Sequence, residues 1–155
     1  MPMENFHCPK CRLEIKSDPN FCYKCGFDLR KITELLRDGD IFYKEDKCPD
    51  AIECYEKAIK IDSNNALAWC GKGNVLLKQG KNSEDVTYCV KCQLSPVLSE
   101  AFYNGAVKCY EKATKINPEF KDAWYKKGVA LGRLGKDSEA KKCFEIAKEM
   151  NLNQI

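Results

Sequence analysis

The chain repeats itself over most of its length, and this repetition limits its fold more than any other feature of the sequence. Residues 50–61 are nearly restated at 105–118, and more loosely at 138–150. Each copy places Ala, an aromatic residue and Ala at spacings of four and three residues, which form one face of a helix. A second pattern with the same spacing comprises Trp69, Gly73 and Leu76, and again Trp124, Gly128 and Leu131. The sequence therefore predicts repeated pairs of closely packed helices.

This pattern resembles the tetratricopeptide repeat, a unit of 34 residues built from two helices. The first repeat spans 32–65 and the last spans 121–154. The family positions are held by Leu35, Gly39, Phe42, Ala51, Tyr55 and Ala58, and by Trp124, Gly128, Leu131, Ala140, Phe144 and Ala147. The resemblance covers 32–155 and implies an all-α solenoid of helical hairpins, with about seven helices. It also implies a non-enzymatic scaffold whose first helices line a groove that holds segments of other proteins.

The middle of the chain departs from this spacing. Residues 66–120 number 55, which exceeds one 34-residue repeat by 21. We assign 66–98 to a second repeat and 99–120 to a truncated third repeat that forms a single helix. The second-helix positions of the second repeat are then held by Asp85, Cys89 and Cys92. The alternative is that residues 85–105 are an inserted helix and loop within one otherwise ordinary repeat.

Four cysteines precede the repeats as two Cys-x-x-Cys pairs, Cys8 with Cys11 and Cys22 with Cys25. Two residues between paired cysteines allow both thiolates of one turn to face a single ion, and two such turns complete a tetrahedral sulfur cage. Gly26 follows the second pair, where a positive φ is needed. We predict one metal ion per chain, and we expect its loss to unfold residues 1–30 while the repeats keep their helicity.

The sequence from residue 6 to residue 30 resembles the short zinc ribbons found at the front of bacterial and archaeal proteins. The motifs that carry the resemblance are CPKC and FCYKCGFDL. The chain departs from the pattern at Arg12, where many ribbons have glycine. The resemblance implies a closed structural Zn²⁺ site in a domain of residues 1–30, ahead of a repeat domain over 32–155. The alternatives are iron in a rubredoxin-like cage and no metal at all.

Charge and composition exclude several classes of function. The 26 basic and 23 acidic side chains leave a net charge of +3, which is too small for the strong positive field that binds phosphate backbones. The chain has a single histidine, His7, which argues against acid–base catalysis by histidine. No apolar run approaches the length of a membrane span, and residues 1–7 lack the features of an export signal. We therefore predict a non-enzymatic cytoplasmic protein that does not enter a membrane.

Two other functions stay open. A nucleic-acid-associated regulator would use the ribbon, with phosphate contacts and base stacking from Lys10, Arg12, Lys16, Lys24, Phe21 and Tyr23. A thiol redox sensor would use Cys89 and Cys92, although both fall on repeat positions where a small core residue is expected. An odd total of 11 cysteines argues against a disulfide framework.

The resemblance also implies which residues face the groove, since positions three to four residues apart on each first helix share one stripe. We expect peptide contacts from Leu36, Tyr43, Asn74, Leu77, Tyr103, Tyr125, Val129 and Arg133. Chaperone-binding relatives hold a C-terminal carboxylate with basic and asparagine side chains, but Leu36 and Asp40 occupy those positions in the first repeat. We expect no preference for a free carboxyl terminus. The alternative occupants are a second copy or the chain's own end, through Leu152 and Ile155.

Overall fold

The computed structural model describes residues 6–15, 21–85 and 95–152. Within these ranges it contains two short strands and six helices, close to the number predicted. They are β1 (Phe6–His7), β2 (Glu14–Ile15), α1 (Arg30–Lys44), α2 (Cys48–Ile61), α3 (Ala66–Asp85), α4 (Ser95–Ile116), α5 (Lys121–Arg133) and α6 (Asp137–Leu152). The chain divides into two compact units, Met1–Asn65 and Ala66–Ile155. No helix among the described residues is both long enough and apolar enough to cross a bilayer.

The first unit contains the cysteine pairs and the helical hairpin of α1 and α2. Strands β1 and β2 pair antiparallel on either side of the first cysteine pair, with Phe6 opposite Ile15. The α1–α2 turn places Asp46 at a φ of 65°. Pro49 lies in the first turn of α2, where its missing N–H costs no helical hydrogen bond.

The second unit consists of two further hairpins, α3 with α4 and α5 with α6. Its buried core includes Tyr110 of α4 and Leu131 of α5, which are 0% and 1% exposed. Small residues face each ring across the hairpin. A Cβ at Gly73 would lie 2.8 Å from the Tyr110 ring, and one at Gly128 would lie 2.7 Å from the Phe144 ring. The same contact in the first unit joins Gly39 to Tyr55, so all three hairpins share one packing rule.

The middle hairpin, α3 with α4, has two such contacts between a glycine and an aromatic ring, and the second contact explains its unusual length. A Cβ at Gly80 would lie 2.5 Å from the Tyr103 ring. Gly80 follows Gly73 by seven residues, and Tyr103 precedes Tyr110 by seven, so the antiparallel register continues for two more helical turns. The turn position of the last hairpin is Gly135, at a φ of 72°. Its counterpart Gly80 instead lies within α3.

The structure therefore differs from the expected division of the middle into a repeat at 66–98 and a truncated repeat at 99–120. The helix that packs on α3 is α4, and the predicted single helix forms its larger part. Its Tyr110 takes the place that a residue near 89 was expected to fill. Residues 86–94, with Cys89 and Cys92, lie outside the described residues. The geometry favours the alternative of one repeat with an insertion, because the Gly–aromatic contact fixes which helices are paired.

Candidate functional site

The two cysteine pairs sit in turns of the same backbone geometry. In the first turn the N–H of Arg12 donates to the carbonyl of Cys8 at 2.8 Å, and in the second the N–H of Gly26 donates to the carbonyl of Cys22 at 2.8 Å. Both donors have a positive φ, 59° for Arg12 and 67° for Gly26. Such a turn frees neighbouring amides to point at sulfur, so the predicted role of Gly26 fits, and Arg12 adopts the conformation despite its side chain.

The four thiols converge on one point. The Sγ atoms of Cys8 and Cys25 lie 3.5 Å apart, and those of Cys11 and Cys22 lie 3.4 Å apart. All four sulfurs lie within 4.8 Å of one another. A tetrahedral site with metal–sulfur bonds of about 2.3 Å has sulfur–sulfur edges of about 3.8 Å. The donor set and its spacing therefore fit a divalent ion held by four thiolates, with no position left for a substrate.

The environment of the thiols favours ionisation of one of them. Although burial opposes it, the backbone N–H groups of Cys25 and Lys24 lower the pKa of Cys22 to about 6. Burial raises the pKa of Cys25 to about 12, and the neighbouring thiol of Cys8 adds to this effect. Four negative sulfurs this close repel one another strongly. Full ionisation, which metal ligation requires, thus needs a cation at the centre.

The cysteine cluster is part of a larger apolar core, which we call the ribbon core. Cys8 and Cys22 are buried with Leu29, which precedes α1, and with Ile32 on α1. Half-buried residues complete it, namely Cys11, Leu13, Cys25, Phe27, Leu36 and Ile61. Leu36, predicted to contact a peptide, therefore packs against the ribbon core. The sequence pattern did not show this, because it assigned the ribbon and the repeats to separate cores.

Of the residues predicted for the groove, two belong to the core of the second unit. Tyr103 is 1% exposed and Leu77 is 7% exposed, so neither offers a surface for a peptide. A peptide contact from Tyr103 requires that 99–117 begin as a first helix, whereas the structure puts Tyr103 on α4, the second helix of its hairpin. For Tyr103, the difference follows from the pairing of α3 with α4, which makes α4 a second helix.

Three other predicted groove residues lie together on α5. Tyr125 is 54% exposed, and its ring packs at a tilt against that of Phe144, with the centroids 5.5 Å apart. Arg133 is exposed at the end of α5, and Val129 is half-buried. Contact of these three residues with a bound peptide stays a prediction. Tyr43 is half-buried on α1 in the first unit.

Asn74 has a structural partner that sequence analysis missed. Its Oδ1 accepts a hydrogen bond from the hydroxyl of Tyr110 at 2.9 Å. The first repeat has the same pair, in which Tyr55 donates to Asp40 Oδ1 at 2.6 Å. Aligning the repeats would have found the signal, since a polar residue follows the helix glycine only where the opposed aromatic is tyrosine.

Two models of one family match the sequence. A model described as "TPR repeat" matches residues 39–80 and 103–135, and one described as "Tetratricopeptide repeat" matches 121–154. The first model does not match the 22 residues between Gly80 and Tyr103. This gap coincides with the added turns of α3 and α4.

Curated relatives are similar over part of their length. The TPR repeat-containing protein MJ1428 of Methanocaldococcus jannaschii is 29% identical over 139 residues, which is 76% of this chain and 24% of that protein. The peroxisomal targeting signal receptor of Candida glabrata is 31% identical over 83 residues, which is 50% of this chain and 14% of the receptor. The chain thus spans about a quarter or less of these relatives.

Solved structures share the fold. The second TPR of Spaghetti (RPAP3), bound to the HSP90 peptide SRMEEVD, has a TM-score of 0.62 and 27% identity, and the match covers 78% of this chain and 93% of that one. The Arabidopsis OM64 TPR domain has a TM-score of 0.64 at 19% identity, covering 80% and 85%, which shows the fold alone. Together with the family models, these matches show that the chain belongs to the tetratricopeptide repeat family.

Proposed function

We propose that this chain is a non-enzymatic adaptor that holds a segment of another protein on its repeats. The observation that carries the proposal is its similarity to the second TPR of Spaghetti, which was solved with a bound peptide and matches along 93% of its length. Tetratricopeptide proteins bind peptides through the side chains of their first helices. In the second unit of this chain those helices are α3 and α5.

The exposed side chains of α3 and α5 indicate what kind of peptide would bind. Leu67 on α3 and Tyr125 on α5 are large side chains that are 56% and 54% exposed. Asp122 and Lys126 pair with each other at 2.8 Å, so they neutralise one another. A segment with apolar anchors and modest charge suits this surface, because exposed aromatic residues supply much of the binding energy at interfaces.

We keep the expectation that a free carboxyl terminus is not required. In the first repeat, Leu36 occupies the position of a carboxylate-binding basic residue, and it packs against the ribbon core. Asp40 occupies the asparagine position, and its carboxylate accepts a hydrogen bond from the hydroxyl of Tyr55. Titration with a selected peptide as the free acid and as its C-terminal amide should give equal affinities.

The peptide surface can be tested with a double variant. Peptides selected by display against the full chain should bind Tyr125→Ala/Arg133→Ala about tenfold or more weakly than the wild type, since an aromatic anchor and a charged neighbour are removed. Tyr23→Ala is a matched control, because Tyr23 is 72% exposed but lies in the ribbon. Undiminished binding by the folded double variant would show that α5 is not the site.

We also propose that Cys8, Cys11, Cys22 and Cys25 hold one structural Zn²⁺ per chain. Four mutually close sulfurs with no open coordination position support a closed site, and the chemistry that the ion supplies is cross-linking. A reducing cytoplasm suits such thiolates.

The metal site can be tested by changing one ligand. Cys22→Ser should release the ion, whereas Cys54→Ser, a cysteine of α2 outside the cluster, should retain it. Elemental analysis of the purified chains is the measurement. Finding no stoichiometric metal in the wild type, or mainly iron, would contradict zinc.

A further inference from the structure

The ribbon and the first repeat share one core. Cys8 and Leu29 are fully buried in it, and so is Ile32, which lies on α1. Leu36 from the next turn of α1 and Ile61 from the end of α2 pack against the same cluster. Both helices of the first hairpin therefore bury apolar surface on the segment that carries the cysteines. Without that segment, these side chains would face water.

Polar contacts join the same two parts. With the Asn64 amide oxygen turned toward Arg12, the Arg12 guanidinium donates to it, with Nη2 at 3.1 Å. Arg12 lies directly after the first cysteine pair, and Asn64 follows α2. The Arg30 guanidinium on α1 lies 4.4 Å from the ring centroid of Phe21, the residue before the second pair. Each cysteine turn is thus connected to the helical hairpin.

Helix α1 has a weak start of its own. Leu29 stands at its N-cap and its own side chain makes no capping hydrogen bond, and the first turn of the helix contains no acidic residue. Instead the turn begins with Arg30 and Lys31, whose charges oppose the helix dipole. The compensation comes from Asp28, whose Oδ1 accepts the Arg30 N–H at 2.9 Å. Asp28 pairs with Phe21 in an isolated β-bridge, so the ribbon fixes its position.

We infer that the cysteine segment is the N-terminal cap of the repeat array, and that metal occupancy controls the folding of the first repeat as well as of residues 1–30. This inference rests on the proposed metal site. The ends of a repeat array need a terminal element to cover their apolar face. When the four thiols lose their ion, the ribbon core loses its centre, and α1 loses both its apolar cover and the fixed Asp28. This differs from the expectation that all repeats keep their helicity without metal.

The first experiment compares amide hydrogen exchange of the full chain with Zn²⁺ and after its removal by a chelator. Amides of α1 and α2 should exchange at least tenfold faster without the ion, because local opening sets their protection. Amides of α3 to α6 should change less than twofold. Equal protection of α1 and α2 in the two states would overturn the inference.

The second experiment uses the reciprocity of coupled equilibria, since a metal that stabilises the first repeat must bind more weakly when that repeat is destabilised. Gly39→Ala places a Cβ 2.9 Å from the Tyr55 ring, and Gly128→Ala places one 2.7 Å from the Phe144 ring. The two variants are matched in chemistry and in repeat position, and neither touches a cysteine of the cluster. Zn²⁺ affinity is measured by competition with a chromogenic chelator.

The expected result is a loss of affinity of about tenfold or more in Gly39→Ala and less than twofold in Gly128→Ala. Unchanged affinity in Gly39→Ala overturns the coupling, even if the first repeat of that variant is unfolded. A wild-type chain that binds no stoichiometric metal contradicts the metal site itself. The two failures are therefore distinguishable.

Discussion

At the scale of the residue, the choice between tyrosine and phenylalanine at the ring position of a hairpin goes with a polar or an apolar side chain opposite the ring. Tyr55 and Tyr110 each donate to a polar side chain that follows a helix glycine, Asp40 and Asn74. In the last repeat the ring is Phe144, and the residue after its glycine is valine. Burying a hydroxyl without an acceptor costs free energy, so a tyrosine at the ring position favours a polar side chain opposite it. Asn74 thus supports the framework, whatever it contributes to binding.

The hydrogen-bonded pair of one repeat can be replaced by the apolar pair of the last repeat. Asn74→Val should lower the free energy of unfolding by about 1–2 kcal/mol, because the Tyr110 hydroxyl loses this acceptor. Adding Tyr110→Phe should recover part of the loss by recreating the apolar pair of the last repeat. Urea unfolding of both single variants and the double variant gives the coupling energy. Phe144→Tyr is the control. Because Phe144 is 37% exposed, the stability of this variant should stay within about 0.5 kcal/mol of the wild type. Strictly additive effects would contradict the pairing.

At the scale of the element, close approach between helices depends on glycines that face rings. Gly80→Ala would set a Cβ 2.5 Å from the Tyr103 ring, and Tyr103 is only 1% exposed. We expect a loss of about 2–3 kcal/mol from overpacking. Gly132→Ala, also in a helix, meets nothing within 4 Å and should raise stability by up to about 1 kcal/mol. Chemical denaturation measures both, and a neutral Gly80→Ala would contradict the packing.

The sequence predicts the helical hairpins and the cysteine cluster well because both depend on local spacing. A Cys-x-x-Cys turn sets its two sulfurs within a few residues, and the positions of Gly73 and Tyr110 follow from a helix face. It does not predict where the middle hairpin turns. Gly80 holds the turn position of an ordinary repeat but lies inside α3, since a second Gly–Tyr contact seven residues on stabilises a longer hairpin. Only the pairing of distant Gly80 and Tyr103 reveals this.

The added turns should be removable. Deleting residues 82–102 joins 66–81 to 103–120 and leaves a repeat of 34 residues, with Gly80 free to adopt the positive φ of Gly135. The contact of Gly73 with Tyr110 lies outside the deletion, so we expect a folded chain with a cooperative transition. Circular dichroism through a thermal scan is the measurement. A second unit without a cooperative transition would show that the longer hairpin is essential to its stability.

At the scale of the whole molecule, net charge limits what the chain can bind. The net charge of +3 falls to +1 when four thiolates hold one divalent ion. Two of the ribbon groups assigned to a nucleic-acid surface also have contacts within the first unit, since Arg12 donates to Asn64 and the Arg30 guanidinium lies over the Phe21 ring, which is 39% exposed. Among the described residues named for that surface, the exposed remainder is Lys10, Lys24 and Tyr23, and Lys16 lies outside the described residues. The ribbon is therefore poorly suited to track a phosphate backbone.

We accordingly predict no retention of RNA or DNA in a filter-binding titration at micromolar protein and low salt. The physical reason is that affinity for a phosphate backbone scales with the number of phosphates neutralised, and the few lysines named for this surface release few counterions. The double variant Lys10→Gln/Lys24→Gln is the matched control, and it should behave like the wild type. Saturable retention that falls with salt and is abolished in the double variant would contradict this prediction, and it would make the ribbon a nucleic-acid surface. Retention that the double variant keeps would place any basic surface on the repeats instead.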